Sequence, residues 1–240
     1  WIPLNKKGNS NTRERIALIK RFVAQFGQQH IKALLADREF IGKNWIKFLK
    51  KQEISFIIRI KKDAKIPNTC GIPVQAKNLF RFLKPGEKLV IIGARKMTGV
   101  DVFLSALRLD DGQLLIVATD QAGDLAIEQY AERWQIETMF SCFKERGFNL
   151  EDTHITHRQR IKRLLAVLAI AFCWAHRTGE WQHEHVKPIK VKKHLRLTKS
   201  IFRVGLDFIR EALFSITDSL EIALRPLIQF IDLKQYYKTE

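Results

Sequence analysis

The sequence predicts a mixed α/β chain with a covered sheet at the front, an antiparallel β-rich insertion in the middle and a helical, basic final third. Three observations predict it. Helical and strand patterns alternate through TRERIALIKRFVAQFG, HIKALLADREF, GKNWIKFLKKQE and ISFIIRIKK, and apolar strands between helices are covered on both faces. From about Ala64 to Asp120 the strand-like runs KLVIIGARK, VFLSALRL and QLLIVATD are separated by turn residues. Beyond them the apolar spacing is helical.

Taken in order, WIPL reads as the tail of a strand and KKGNSNT as a turn. Asn11 or Thr12 caps the next helix, with Glu14 in its first turn. Ile16, Leu18, Ile19, Phe22, Val23 and Phe26 form its apolar face, and Gly27 stops it. HIKALLADREF reads as a short buried strand with Asp37 at its carboxyl end. GKNWIKFLKKQE is a short helix and ISFIIRIKK a strand. LDDGQ, Leu109 to Gln113, is a hairpin turn. Helices follow at YAERWQIETMFSCFKERG, QRIKRLLAVLAIAFCWAH, SIFRVGLDFIREALFS and SLEIALRPLIQFIDL, while Pro188 breaks the connection between the second and third. The resulting segments are 1–63, a partial core; 64–120, the β-rich insertion; 121–178, the remaining core helices; and 179–240, a basic helical region.

Charge narrows the class of partner. The 240 residues hold 42 Lys and Arg against 25 Asp and Glu, a net +17. Such an excess of one sign implies a polyanionic partner, nucleic acid ahead of a membrane surface. Cys70, Cys142 and Cys173 form no paired motif, which points to a reducing compartment and neither a disulfide framework nor a zinc site. LLAVLAIAFCW, Leu164 to Trp174, is too short to cross a bilayer and reads as a buried helix. No secretory signal opens the chain. Its start at WIPL, without methionine, reads as a fragment.

The stretch from Tyr130 to Gly147 concentrates the chemistry. At about 100° per residue, a continuous helix places Tyr130, Arg133, Glu137 and Lys144 within an arc of roughly 60°. Ile127, Trp134 and Phe140 border that arc, and Glu128, Glu132, Gln135 and Arg146 take the opposite, solvated face. The four polar residues therefore point inward. Asp37, at the end of its strand, lies where open α/β sheets bind ligands. Carboxylates from Asp37 and Glu137 suit a hard divalent cation, and two such ions activate and stabilise the oxygens of phosphodiester cleavage. Arg133 and Lys144 offer positive charge to phosphate, and Tyr130 a neutral donor. A surface Arg–Glu pair and a turn-forming Asp would give the same letters.

The spacing Tyr130, Arg133, Glu137, Lys144 resembles the YREK signature of the IS-four group of bacterial insertion-sequence transposases. ADREF, Ala36 to Phe40, resembles the segment that carries their second catalytic aspartate, and KKGNSNTRERI the helix entry before it. The resemblance runs from about Trp1 to His154. It implies a ribonuclease H-like DDE enzyme that moves DNA by metal-dependent cleavage and strand transfer. Asp37 and Glu137 would then be catalytic acids holding Mg²⁺ or Mn²⁺ in a two-metal site, and Tyr130, Arg133 and Lys144 would hold the DNA backbone. Trp134 would wedge into a base step at the transposon end, or else sit in the core. The insertion lacks a base-stacking tryptophan and offers Phe80, Phe82 and Phe103.

The partners implied are double-stranded DNA, at transposon ends and target, and a second copy of the chain in the synaptic complex. The location implied is the bacterial cytoplasm, at the nucleoid. No Asp precedes Asp37, so the family's first acid is absent and the fragment alone is expected not to cleave DNA. A catalytically dead DNA-binding remnant and a ribonuclease H-like nuclease unconnected to transposition are the rival readings. His154 with His157, and His183 with His185, lack partners at zinc-finger spacing and read as solvated residues. The basic run from Lys187 to Arg203 tracks phosphates or is a solvated face, and Glu39 reads as a surface ion-pair former.

Overall fold

Asn11 opens the first helix as its side chain favours. It accepts from the Glu14 N–H at 3.0 Å, and the Glu14 carboxylate accepts from the Asn11 N–H at 2.6 Å. This reciprocal box satisfies two donors at the start of α1 (Thr12–Phe26). Gly27, at φ 85°, ends the helix, a conformation that carries no Cβ penalty only in glycine. The computed structural model describes residues 9–144, 147–192 and 197–214. The strand expected at WIPL, Arg146 and the helix expected at SLEIALRPLIQFIDL lie outside the described residues. The chain divides into two units, Trp1–Gln135 and Ile136–Glu240.

In the first unit, β1 (Leu34–Ala36) and β2 (Phe56–Arg59) pair in parallel, Leu34 opposite Phe56 and Ala36 opposite Ile58. Helix α2 (Lys43–Lys51) connects them and buries Trp45, Ile46 and Leu49 on one face, each contributing roughly 1.5–3 kcal/mol through apolar burial. After β3 (Lys65–Pro67), β4 (Pro73–Gln75) and α3 (Ala76–Leu79) come β5 (Lys88–Val90), β6 (Arg95–Met97), β7 (Val100–Arg108) and β8 (Leu114–Thr119). The long β7–β8 hairpin turns at Leu109–Gln113, as LDDGQ predicts, with Gly112 at φ 82°.

The strands of the β-rich stretch do not form one sheet of their own. The main order is β1-β2-β8-β7-β5, with β6 also on β7. β8 runs antiparallel to β2, so the stretch completes the sheet that β1 and β2 begin. Only β3 and β4 stand apart, as a two-stranded ribbon. Asp120 locks the join, accepting from Ser55 Oγ at 3.0 Å and from the Phe56 N–H at 2.8 Å.

β2 is covered on both faces, as its apolar run predicts. Phe56 and Ile58 join the core that holds Trp45, Ile46 and Leu49. Ile57, with Val117, packs against Ala126, Ile127 and Tyr130 of α4 (Ala126–Ala131).

Helix α5 (Trp134–Lys144) begins at the unit boundary. In the second unit, α6 (Arg158–Trp181) is followed by one wide helical turn, Gln182–Val186, and α7 (Ile201–Phe214) returns against α6. Helical structure ends before Pro188, as expected. His183 Nδ1 accepts from the Ile189 N–H at 2.8 Å and so caps this connection. Two glycines set how closely the helices cross. A Cβ on Gly205 would fall on the Ala175 carbonyl oxygen, and one on Gly179 on the Ile201 carbonyl. Phe172 and Phe202 stack at 5.2 Å, with Phe148 edge-on to Phe202 at 5.6 Å.

One expectation fails here. LLAVLAIAFCW is not a uniformly buried segment, because Val167 and Ile170 are 61% and 60% exposed. The apolar run occupies the middle of α6 and wraps around it, so Val167 and Ile170 face away while Phe172 and Trp174 pack toward the close crossing with α7 at Ala175 and Gly179. Among the described residues no helix is long and apolar enough to cross a membrane. Replacing Gly205 by leucine should therefore separate the pair and destabilise the second unit by about 3 kcal/mol or more. Denaturant melts of G205L against an exposed-site control such as Arg210→Leu measure the difference.

Candidate active site

Asp37 follows β1 directly and caps the short 3₁₀ turn Arg38–Phe40, its Oδ1 accepting from the Arg38 N–H at 2.8 Å. Oδ2 remains for a ligand. The turn is held from α1. Arg15, 8% exposed, places its guanidinium 4.4 Å from the Phe40 ring centroid and donates through Nε to Ser10 Oγ at 3.0 Å. Burial lowers the Arg15 pKa, opposed by the charges of Glu39 and Glu14. Glu39 also accepts from Asn9 Nδ2 at 3.4 Å. ADREF is thus a clamped corner, with the acid at the carboxyl end of a parallel strand as the sequence predicts.

The continuous helix expected from Tyr130 to Lys144 is interrupted. α4 ends at Ala131 and α5 starts at Trp134. Between them, hydrogen bonds run three residues back, Glu132 N–H to the Gln129 carbonyl and Arg133 N–H to Tyr130. A turn of this tighter kind eclipses side chains three apart. The Arg133 guanidinium accordingly sits 5.6 Å from the Tyr130 ring centroid, in the range of a cation–π contact. The ideal-helix arc is therefore replaced by a local Tyr130–Arg133 pair followed by a new helix.

Exposure along this stretch also differs from a single inward stripe. Tyr130 is buried at 5% exposure, Arg133 and Glu137 are partly buried, and Lys144 is exposed. Glu137 lies in the first turn of α5, where the helix dipole favours a carboxylate. Lys144 ends that helix and pairs with Glu151 at 2.8 Å. Trp134 and Phe140, expected to border buried ground, are 66% and 49% exposed. Trp134 is therefore not a core residue. In the insertion, Phe80 is buried while Phe82 is 81% exposed.

Electrostatics draw part of the candidate set together within the first unit. Burial pushes the Tyr130 phenol above its ordinary pKa. Arg133 pulls it down, the nearby Asp37 charge pushes it further up, and Arg59 pulls it down. Tyr130 thus stays a neutral donor at physiological pH, and its buried hydroxyl interacts with Arg133 without a well-formed hydrogen bond. Arg59 is the residue that sequence reasoning missed. It ends β2, one position past Ile58, and Ile58 pairs with Ala36 just before Asp37. The signal was the switch from apolar to basic at the end of ISFIIRIKK.

The described residues contain no group of three or more His, Cys, Asp or Glu able to hold a metal. The first unit offers one well-placed carboxylate, Asp37, beside cations suited to phosphate. The family model for the transposase DDE domain matches residues 2–174. The chain belongs to that family. Members act on DNA and generally use a divalent metal, in keeping with the acid and the cations on this DDE transposase domain. Comparison with curated proteins returns no match.

The Tyr130 side chain gives a test of the transposase domain's local packing. Tyr130→Phe should change stability by less than about 1 kcal/mol, because the hydroxyl makes no well-formed hydrogen bond. Tyr130→Ala should lower stability by about 3–5 kcal/mol through loss of the ring. Urea denaturation of the two variants separates the contributions.

Proposed function

We propose that this chain is the catalytic part of a cut-and-paste transposase of the IS-four group, with a ribonuclease H-like core and the YREK residues in their signature roles. The observation that carries this reading is the cluster of Asp37, Tyr130, Arg133 and Arg59. Strand register brings Asp37 and Arg59 together, Arg133 lies against the ring of Tyr130, and the Asp37 and Arg59 charges reach that buried phenol. Phosphate oxygens can accept from that phenol and from the Arg133 fork together. A buried donor without a well-formed hydrogen bond is costly unless a ligand supplies the acceptor.

In this reading Asp37 and Glu137 are metal ligands, and bound Mg²⁺ or Mn²⁺ supplies the Lewis acid for phosphodiester cleavage and strand transfer. Asp37 keeps one oxygen on the Arg38 N–H, which fixes the direction of the other. Arg133 and Tyr130 orient the backbone at the transposon end. Lys144 adds a point charge, and its exposed pair with Glu151 is weak enough to exchange for phosphate. Trp134, two-thirds exposed, would stack on or wedge between bases. Two copies acting together would hold the two ends.

Binding of Mn²⁺, followed by electron paramagnetic resonance in the presence of the element's end DNA, tests the assignment. Asp37→Ala and Glu137→Ala should each weaken binding at least tenfold while DNA affinity without metal is retained. Unchanged Mn²⁺ affinity in both variants would remove the carboxylates from the metal site. End DNA should also outcompete random duplex, which a nuclease unconnected to transposition would not distinguish.

A further inference from the structure

A cleft of about 900 Å³ opens on the first unit between the end of β2, helix α3 and the β7–β8 hairpin. Seven basic side chains line it against three acidic ones. Two of the acids are engaged locally. Asp111 accepts from the Gln113 N–H and from Gln113 Nε2, both at 2.9 Å, and Glu39 lies 3.8 Å from Arg38. Lys61, Lys62 and Lys77 are exposed, and no ion pair of theirs occurs among the described residues. Arg108 is held in place, donating through Nε to the Leu83 carbonyl at 2.6 Å and through a terminal nitrogen to the Gly112 carbonyl at 3.0 Å.

Cations gathered in a concave site repel one another and concentrate anions there. Their spread along β2, α3 and β7 exceeds what one phosphate engages, which favours a chain of phosphates over a small anion. An aromatic stands beside them. The Arg81 guanidinium, part of the cleft wall, lies 4.5 Å from the ring centroid of exposed Phe82, and such arginine–aromatic surfaces suit nucleic acid. The cleft also adjoins the candidate site. Arg38 follows Asp37, and Arg59 both lines the cleft and acts electrostatically on Tyr130.

We propose that this cleft is a track for the DNA backbone, carrying the duplex that flanks the Asp37 end of the site. The proposal rests on the reading of the chain as a DNA-acting transposase. It adds a sequence-independent contact surface contributed by the β2 end, α3 and the hairpin. Each phosphate neutralised in such a track releases counterion and adds about 0.9 to the slope of log affinity against log salt.

The test is a salt titration of duplex DNA binding, by fluorescence anisotropy, for the purified chain and two triple variants. Lys61→Ala with Lys62→Ala and Lys77→Ala removes three unpaired cations of the cleft. Lys20→Ala with Lys47→Ala and Lys51→Ala removes three exposed lysines elsewhere with the same change in net charge. The cleft triple should lower the slope by about 2–3 and weaken low-salt binding at least tenfold, equally for end and random DNA. The control triple should move the slope by less than half as much. Equal slopes for the two triples would overturn the track alone, whereas a wild-type chain that binds no DNA would overturn the track and the transposase reading together.

Discussion

The parallel pairing of β1 with β2 is the constraint on which the site depends. Because Ala36 faces Ile58, the next residues, Asp37 and Arg59, stand side by side at the carboxyl ends of these strands. The pairing persists because β2 is buried on both faces, by the α2 core on one side and by α4 on the other. Tyr130 belongs to that second cover. The residue that feels the acid's charge therefore also helps to hold the strand beside it. Packing and chemistry share one ring.

Much of this architecture was written in local pattern. The capping box at Asn11, the stop at Gly27, the turn at LDDGQ and the strand end at Asp37 follow from side chains acting within four residues of themselves. What pattern could not supply was long-range. Nothing in VFLSALRL or QLLIVATD says that β8 will pair with β2, so the pattern did not reveal that the β-rich stretch completes the main sheet. The break at Glu132–Arg133 was hidden for another reason. Its residues are all tolerated in helices, and the tighter turn involves no glycine or proline. LLAVLAIAFCW misled because hydrophobicity reports what can be buried, not which face of a helix its neighbour covers.

The candidate site was legible to a similar degree. Asp37 and the spacing of Tyr130, Arg133, Glu137 and Lys144 stood out by residue type and interval. Arg59 did not stand out, since a basic residue after an apolar run is ordinary until register puts it beside an acid. Arg15 was less visible still. It lies on a helix that reads as merely amphipathic, yet its stacking on Phe40 braces the corner from which Asp37 projects.

The β3–β4 ribbon pairs with no strand of the main sheet, while the β2–β8 and β7–β8 registers close the sheet without it. The ribbon is nonetheless tied to the sheet by packing, because Ile66 is fully buried in the core that also holds Ala36, Phe56 and Ile58. Freedom to vary is therefore confined to its exposed turn, residues 69–72, while the inward side of the ribbon must stay apolar to plug the sheet that carries the acid.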